Sequence, residues 1–156
     1  MMKFSAKEDI EAPIEQVFTL VSDFEALERA ALRRGAEVQR TDSLPRPAVG
    51  MTWAASFMMR GRQRNMEVEL VAYDPPQSML FHSTAQGIEA DMAFELVALS
   101  RGRTRLSLDL ELKPRTLSAR LLVQSLKLTR SNLNRRFHLR VADYARDLEL
   151  RAGKMS

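Results

Sequence analysis

At 156 residues, 45% hydrophobic and 28% charged, the chain has the composition of a folded domain long enough to bury its own core, which excludes a disordered segment. It contains no cysteine, so a disulfide framework, a thiolate metal site and a cysteine nucleophile are excluded together. The net charge of +4 is concentrated in one stretch: no Asp or Glu occurs from Lys113 to Ala142, whereas Lys113, Arg115, Arg120, Lys127, Arg130, Arg135, Arg136 and Arg140 all fall there.

The first strand runs from about Lys3 to Glu11 and ends at Ala12-Pro13, because proline fixes φ and removes a ladder donor. Pro13 also suits the first turn of a helix, and Ile14, Val17, Phe18 and Val21 then mark one face of a short helix. Asp23 is placed to cap a second short helix through Leu27, Ala30 and Ala31 that stops near Gly35. From Ala36 to Thr41 the pattern becomes extended, followed by a loop through Leu44-Pro45-Arg46-Pro47.

Trp53, Ala55, Phe57 and Met59 alternate with smaller or more polar residues up to a turn at Arg60-Gly61-Arg62. Met66, Val68, Leu70 and Ala72 keep the period of two until Asp74-Pro75-Pro76 breaks the chain. Met79 to Ala85 forms the next strand, turned at Gln86-Gly87, and Ala90 to Ala98 the one after, turned at Ser100-Arg101-Gly102. Leu106, Leu108, Leu110 and Leu112 alternate with Arg105, Ser107, Asp109 and Glu111, a strand with one buried face. Tight turns between successive strands imply an antiparallel meander.

Beyond Lys113-Pro114 the period is helical again. Leu122, Leu126, Leu133, Phe137, Val141, Tyr144 and Leu148 trace one apolar stripe along a single helix of about thirty residues, with Gly153 as its expected end. No apolar run reaches the ~20 residues that a membrane-spanning helix needs. The start of the chain, Met1 to Asp9, meets acidic residues almost at once, so a cytoplasmic location is expected. Neither repeat nor linker interrupts residues 1–156, which read as one domain.

The segment Asp9-Ile10-Glu11-Ala12-Pro13-Ile14-Glu15-Gln16-Val17-Phe18, followed by Val21-Ser22-Asp23, resembles the opening of the START-like superfamily, also called SRPBCC. That superfamily includes the polyketide cyclase/dehydrase group. The element order also matches: strand, two short helices, six strands, long helix. The resemblance implies an α+β helix-grip fold, in which a seven-stranded curved antiparallel sheet with two short helices after strand 1 wraps around a long C-terminal helix. It also implies a cavity between the sheet and that helix, for a lipid, polyketide or aromatic molecule. Because one fold hosts many activities, an enzyme of the cyclase or dehydratase kind stays open beside a carrier of a small apolar ligand.

On the sheet, Trp53, Phe57, Met66, Met79, Phe81, Met92, Phe94 and Leu108 share the inward register, with Phe137 facing them from the helix. Each serves either as plain core or as cavity lining, for which the flexible methionine thioether is suited. Glu8 shares parity with Phe4, Ala6 and Ile10, so either it is an inward carboxylate or a fraying strand end turns it to solvent. Arg130 and Arg140 fall near the helical stripe and either reach a cavity mouth or snorkel outward.

An enzyme would have to draw on Glu8, Gln63, His82 and Arg140, yet the spacing supplies neither His82 nor His138 with a partner. No recognised spacing supplies ligands for a metal, and no cofactor motif occurs. The basic stretch reads as a solvated helix face or as a surface for an anionic membrane, with Leu121, Leu122 and Val123 beside its charges. Nucleic acid is not expected, since aromatic interleaving is poor.

Overall fold

The computed structural model describes residues 1–155. Seven strands, β1 (Met2–Ile10), β2 (Glu37–Arg40), β3 (Thr52–Met59), β4 (Arg62–Asp74), β5 (Ser78–Ala85), β6 (Ile88–Ser100) and β7 (Arg103–Pro114), form one antiparallel sheet in the order β1-β7-β6-β5-β4-β3-β2. Strands β2 to β7 are therefore a plain meander, and β1 closes it by pairing with β7 from Met2↔Leu112 to Ile10↔Thr104. Two short helices, α1 (Ile14–Val21) and α2 (Phe24–Arg33), link β1 to β2, and α3 (Leu117–Lys127) and α4 (Arg130–Met155) follow β7.

Local chemistry places each boundary. Pro13 stands just before α1, and the Asp23 carboxylate accepts from the Ala26 amide as the cap of α2. Gly35, at φ +91°, ends the second helix in a conformation that side chains resist. Between β2 and β3, the Asp42 carboxylate accepts from Arg40 Nε and Nη2 and from the amides of Leu44 and Thr52, which holds this edge loop. The Arg40 guanidinium, together with those amides, keeps the Asp42 carboxyl far below the usual carboxylate range. Gly87, at φ +82°, turns β5 into β6 and lies against Thr116, where an added Cβ would stand 2.5 Å from the Thr116 Oγ1. Thr116 in turn caps α3 by accepting from the Ala119 amide.

The anticipated single C-terminal helix is two. The amides of Leu128 and Thr129 bond back three residues, to the Ser125 and Leu126 carbonyls, which tightens the last turn of α3 before α4 begins. The Thr129 hydroxyl also bonds the Leu126 carbonyl, a local competitor of the helical ladder. Leu126 and Leu133 nevertheless pack on one cluster with Met2, Phe4 and Val123, so the apolar stripe crosses the break. At the other end α4 runs past Gly153 to Met155.

The main core lies between the inner face of the sheet and the second half of α4, with Ile10, Val17, Val21, Leu70, Met79, Leu106 and Leu148 essentially without exposed surface. Each such side chain contributes about 1.5–3 kcal/mol by leaving water. Thr104, also fully buried, is satisfied because its hydroxyl donates to the Ala12 carbonyl, which ties β7 to the turn before α1. Leu148→Ala is expected to destabilise the protein by about 2–5 kcal/mol in urea unfolding, whereas Leu150→Ala, on the exposed face of the same helix, changes stability by under about 0.5 kcal/mol.

Candidate functional site

Alternation along the strands and their register place Trp53, Phe57, Met66, Met79, Phe81, Met92, Phe94 and Leu108 on the inner face, as pairs such as Phe81↔Met92 and Phe94↔Leu108 require. Met79, Phe94 and Leu108 are buried in the core that α4 covers, and Met92 and Phe137 pack against it. Trp53, a member of the same core, and Met66 and Phe81 also border a cavity of about 150 Å³. Its remaining lining is Val38, Ala55 and Val68 from the sheet and Phe24, Leu27 and Glu28 from α2. No residue of α4 lines it: the cavity lies beneath α2, on the half of the sheet that the C-terminal helix does not reach.

Three rings build one wall. Phe24 meets Trp53 with centroids 5.5 Å apart and Phe81 at 6.0 Å, and Trp53 and Phe81 are 5.9 Å apart, all in tilted or edge-on arrangements. Glu28 is the one ionisable side chain in the lining. Burial, reinforced by the nearby Glu25 charge, pushes its carboxyl above the usual range, while Arg40 and Arg29 pull the other way. Glu28 was not singled out in the sequence, yet it lies four residues after Phe24 and next to Leu27, so the inward face of α2 had to carry it.

A wider cleft of about 840 Å³ adjoins this cavity and shares Val38, Ala55 and Met66 with it. Its origin is topological. Strand β5 ends at Ala85, so β4 before Glu67 is paired with β3 alone and the sheet parts there. Asn65, Gln86, Ile88 and Arg115 stand around the gap, and the Arg64 guanidinium bridges it by donating to Gln86 Oε1.

The other candidates do not converge. Glu8 is half-exposed on the inner face of β1, opposite Leu106, and lines none of the cavities. Arg140 and Arg130 are exposed on α4, and Arg130 is its first residue. Gln63 lies on the outer face of β4 and donates to the Ser56 hydroxyl. His82 lies on the outer face as well, and here cross-strand register supplies what the sequence spacing did not. Its Nδ1 is 2.6 Å from the Asp91 carboxylate, its register partner, and Lys113 Nζ holds the other oxygen at 2.7 Å. Lys113, and then His82, keep the Asp91 carboxyl below its ordinary value. This network is on the face opposite the cavity. Two buried polar atoms among the described residues have no partner, Arg64 Nε and the Tyr144 hydroxyl, and burial raises the Tyr144 phenol well above its usual range.

A curved antiparallel sheet gripping a long C-terminal helix is the fold of a class of domain with ligand-binding or cyclase roles in general. Residues 1–149 match the family model described as polyketide cyclase / dehydrase and lipid transport, and the chain belongs to that family. Among solved structures it is similar to the protein TTHA0849 of Thermus thermophilus, with 18% identity over 99% of each chain and a TM-score of 0.67. It is also similar to the Zhui aromatase/cyclase of Streptomyces sp. R1128, with 15% identity over 98% of this chain and 94% of that one and a TM-score of 0.65. A START superfamily protein of Mycobacterium smegmatis shares 16% identity over 86% of this chain and 95% of that one, with a TM-score of 0.57. At these identities the likeness establishes the fold. No curated protein sequence matches the chain significantly. Among the described residues no helix is long and apolar enough to cross a membrane, and no cluster of side chains is arranged to hold a metal ion.

Because folding raises the proton affinity of Glu28, ionising it favours the unfolded chain, and stability is lost as pH climbs from the ordinary carboxylate range through the raised value. Glu28→Gln removes that loss. The variant is expected to be more stable than the parent at about pH 7 and to match it at about pH 3, where both side chains are neutral, as read from urea midpoints at the two pH values.

Proposed function

We propose that the protein binds a compact apolar molecule, of roughly one aromatic ring with a single polar group, in the cavity beneath α2. The observation that carries this reading is a cavity of about 150 Å³ walled by Phe24, Trp53 and Phe81 with Glu28 as its one ionisable neighbour. An apolar pocket of about this volume suits a benzene-sized guest. Edge-on rings offer such a guest both faces and edges to pack against. Glu28 places a carboxyl at the edge of this lining, where a polar group on the guest is able to meet it. Larger polyketide-like or lipid-like molecules have room in the adjoining cleft, entering past Ala55 and Met66.

A binding role is favoured over cyclase or dehydratase chemistry by the same inventory. Such chemistry calls for at least two polar groups converging on the substrate, and a guest seated in the cavity beneath α2 meets one. The activity in the name of the Streptomyces relative therefore carries over as a shape of ligand rather than as a reaction.

Trp53 is the chain's single tryptophan and lines the cavity, so its fluorescence reports occupancy directly. Titration with benzyl alcohol is expected to shift that emission with a dissociation constant on the order of 1 mM or tighter. Ala55→Phe, which fills the space from the sheet side, is expected to weaken binding at least about tenfold while the fold survives in circular dichroism. Equal saturation of parent and variant would place the binding elsewhere and remove the reading.

A further inference from the structure

The solvent side of α3 does not behave as an ordinary polar helix face. At 100° per residue, Leu117, Leu121 and Leu128 fall within about 40° of one another. They are 74%, 60% and 88% exposed, while Ala119 and Val123 on the opposite side are buried against the sheet. Three leucines aligned toward water are an apolar stripe with nothing covering it.

The chemistry beside the stripe is cationic. Arg120 and Lys127 lie about 20° apart on one flank of the helix. With Lys113 and Arg115 they line a groove of about 560 Å³ between α3 and the end of β7, whose only acid is Glu111. Lys113 is engaged by Asp91 and Glu111, and Arg115 by Glu89. Arg120 and Lys127 make no ion pair among the described residues, and neither do Arg130, Arg135, Arg136 and Arg140, exposed along the first half of α4. No carboxylate occurs in the chain between Glu111 and Asp143 to neutralise them.

We infer that α3 docks the protein on a bilayer containing anionic lipids, with Leu117, Leu121 and Leu128 entering the headgroup–acyl boundary and Arg120 and Lys127 holding lipid phosphates. Charge complementarity selects an anionic surface, and the leucines select a lipid one among anionic surfaces. Nucleic acid offers a leucine nothing to enter, and the stripe carries no aromatic ring to stack on bases. An amphipathic helix that buries leucines at an interface beside basic residues gains from both contributions, each cation adding about fivefold in affinity near an anionic surface. The inference is independent of what fills the cavity beneath α2.

Sedimentation with vesicles of phosphatidylcholine alone, and of about three parts phosphatidylcholine to one part phosphatidylglycerol, tests it. The parent is expected to bind the mixed vesicles, to ignore the neutral ones, and to be released as salt rises and the Debye length shrinks. Arg120→Glu with Lys127→Glu is expected to weaken binding by at least about 25-fold, and Leu117→Ser with Leu121→Ser and Leu128→Ser by at least about tenfold. All these side chains are exposed, so unchanged thermal unfolding confirms that each variant is folded. Absence of binding to the mixed vesicles at low salt overturns the proposal. So does binding that the charge changes abolish and the leucine changes leave intact, which would describe a soluble polyanion or an acidic protein as the partner.

Discussion

A curved sheet of seven strands presents more apolar inner surface than one helix is able to cover, and much of this molecule follows from that mismatch. Helix α4 buries Val141, Ala145, Leu148 and Ala152 in the core on the β1 side of the sheet. The inner face near β2 to β5, where Trp53, Val68 and Phe81 project, is left to α2, which is only ten residues long. Close packing normally eliminates voids, because each unfilled contact forfeits dispersion energy. Here the first residue of the short helix, Phe24, meets two large rings of the sheet, Trp53 and Phe81, and space remains beside them.

The two faces of the sheet also separate the chemistry. The outer face carries a polar ladder of His82, Asp91, Lys113, Glu89 and Arg115, joined across strands and partly open to solvent. Pairs of this kind add little to stability and are screened by salt. Among the described residues Arg120, Lys127, Arg130, Arg135, Arg136 and Arg140 make no ion pair, so positive charge accumulates past the end of β7. The inward register carries few charges, Glu8 on β1 and Arg40, Arg62 and Arg64 on β2 and β4, and α2 adds Glu28 above it. Of these, Glu28 alone sits where an apolar guest would meet it.

Much of the fold was legible in the residues. Alternation at Leu106 to Leu112, turn glycines at 61 and 87, and Ala12-Pro13 with the capping Asp23 gave strand number, meander order and both short helices, because each signal is local and of the right period. The break at Leu128-Thr129 was not legible. A spacing of seven from Leu126 to Leu133 fits an unbroken helix as well as two helices that share one apolar cluster. The cavity was only half legible. Trp53, Met66 and Phe81 were visible as inward residues from strand parity, and helical spacing puts Glu28 on the same side of α2 as Phe24, but which part of the sheet α2 stands over is a tertiary matter that no local pattern encodes. Likewise the Asp91 partner of His82 depends on register between strands rather than on separation along the chain.

The contact at Gly87 acts as a mechanical coupling. The turn between β5 and β6 presses its bare Cα against Thr116, and the Arg115 amide bonds the Gly87 carbonyl at 2.7 Å. Thr116 is the residue from which α3 springs, and Gln86 and Gly87 form part of the lip of the cleft. With no side chain interposed, there is no compliant spacer between them. Any force that tilts α3 is delivered to the lip of the cleft with little slack, and any displacement of the lip bears on the first turn of the helix.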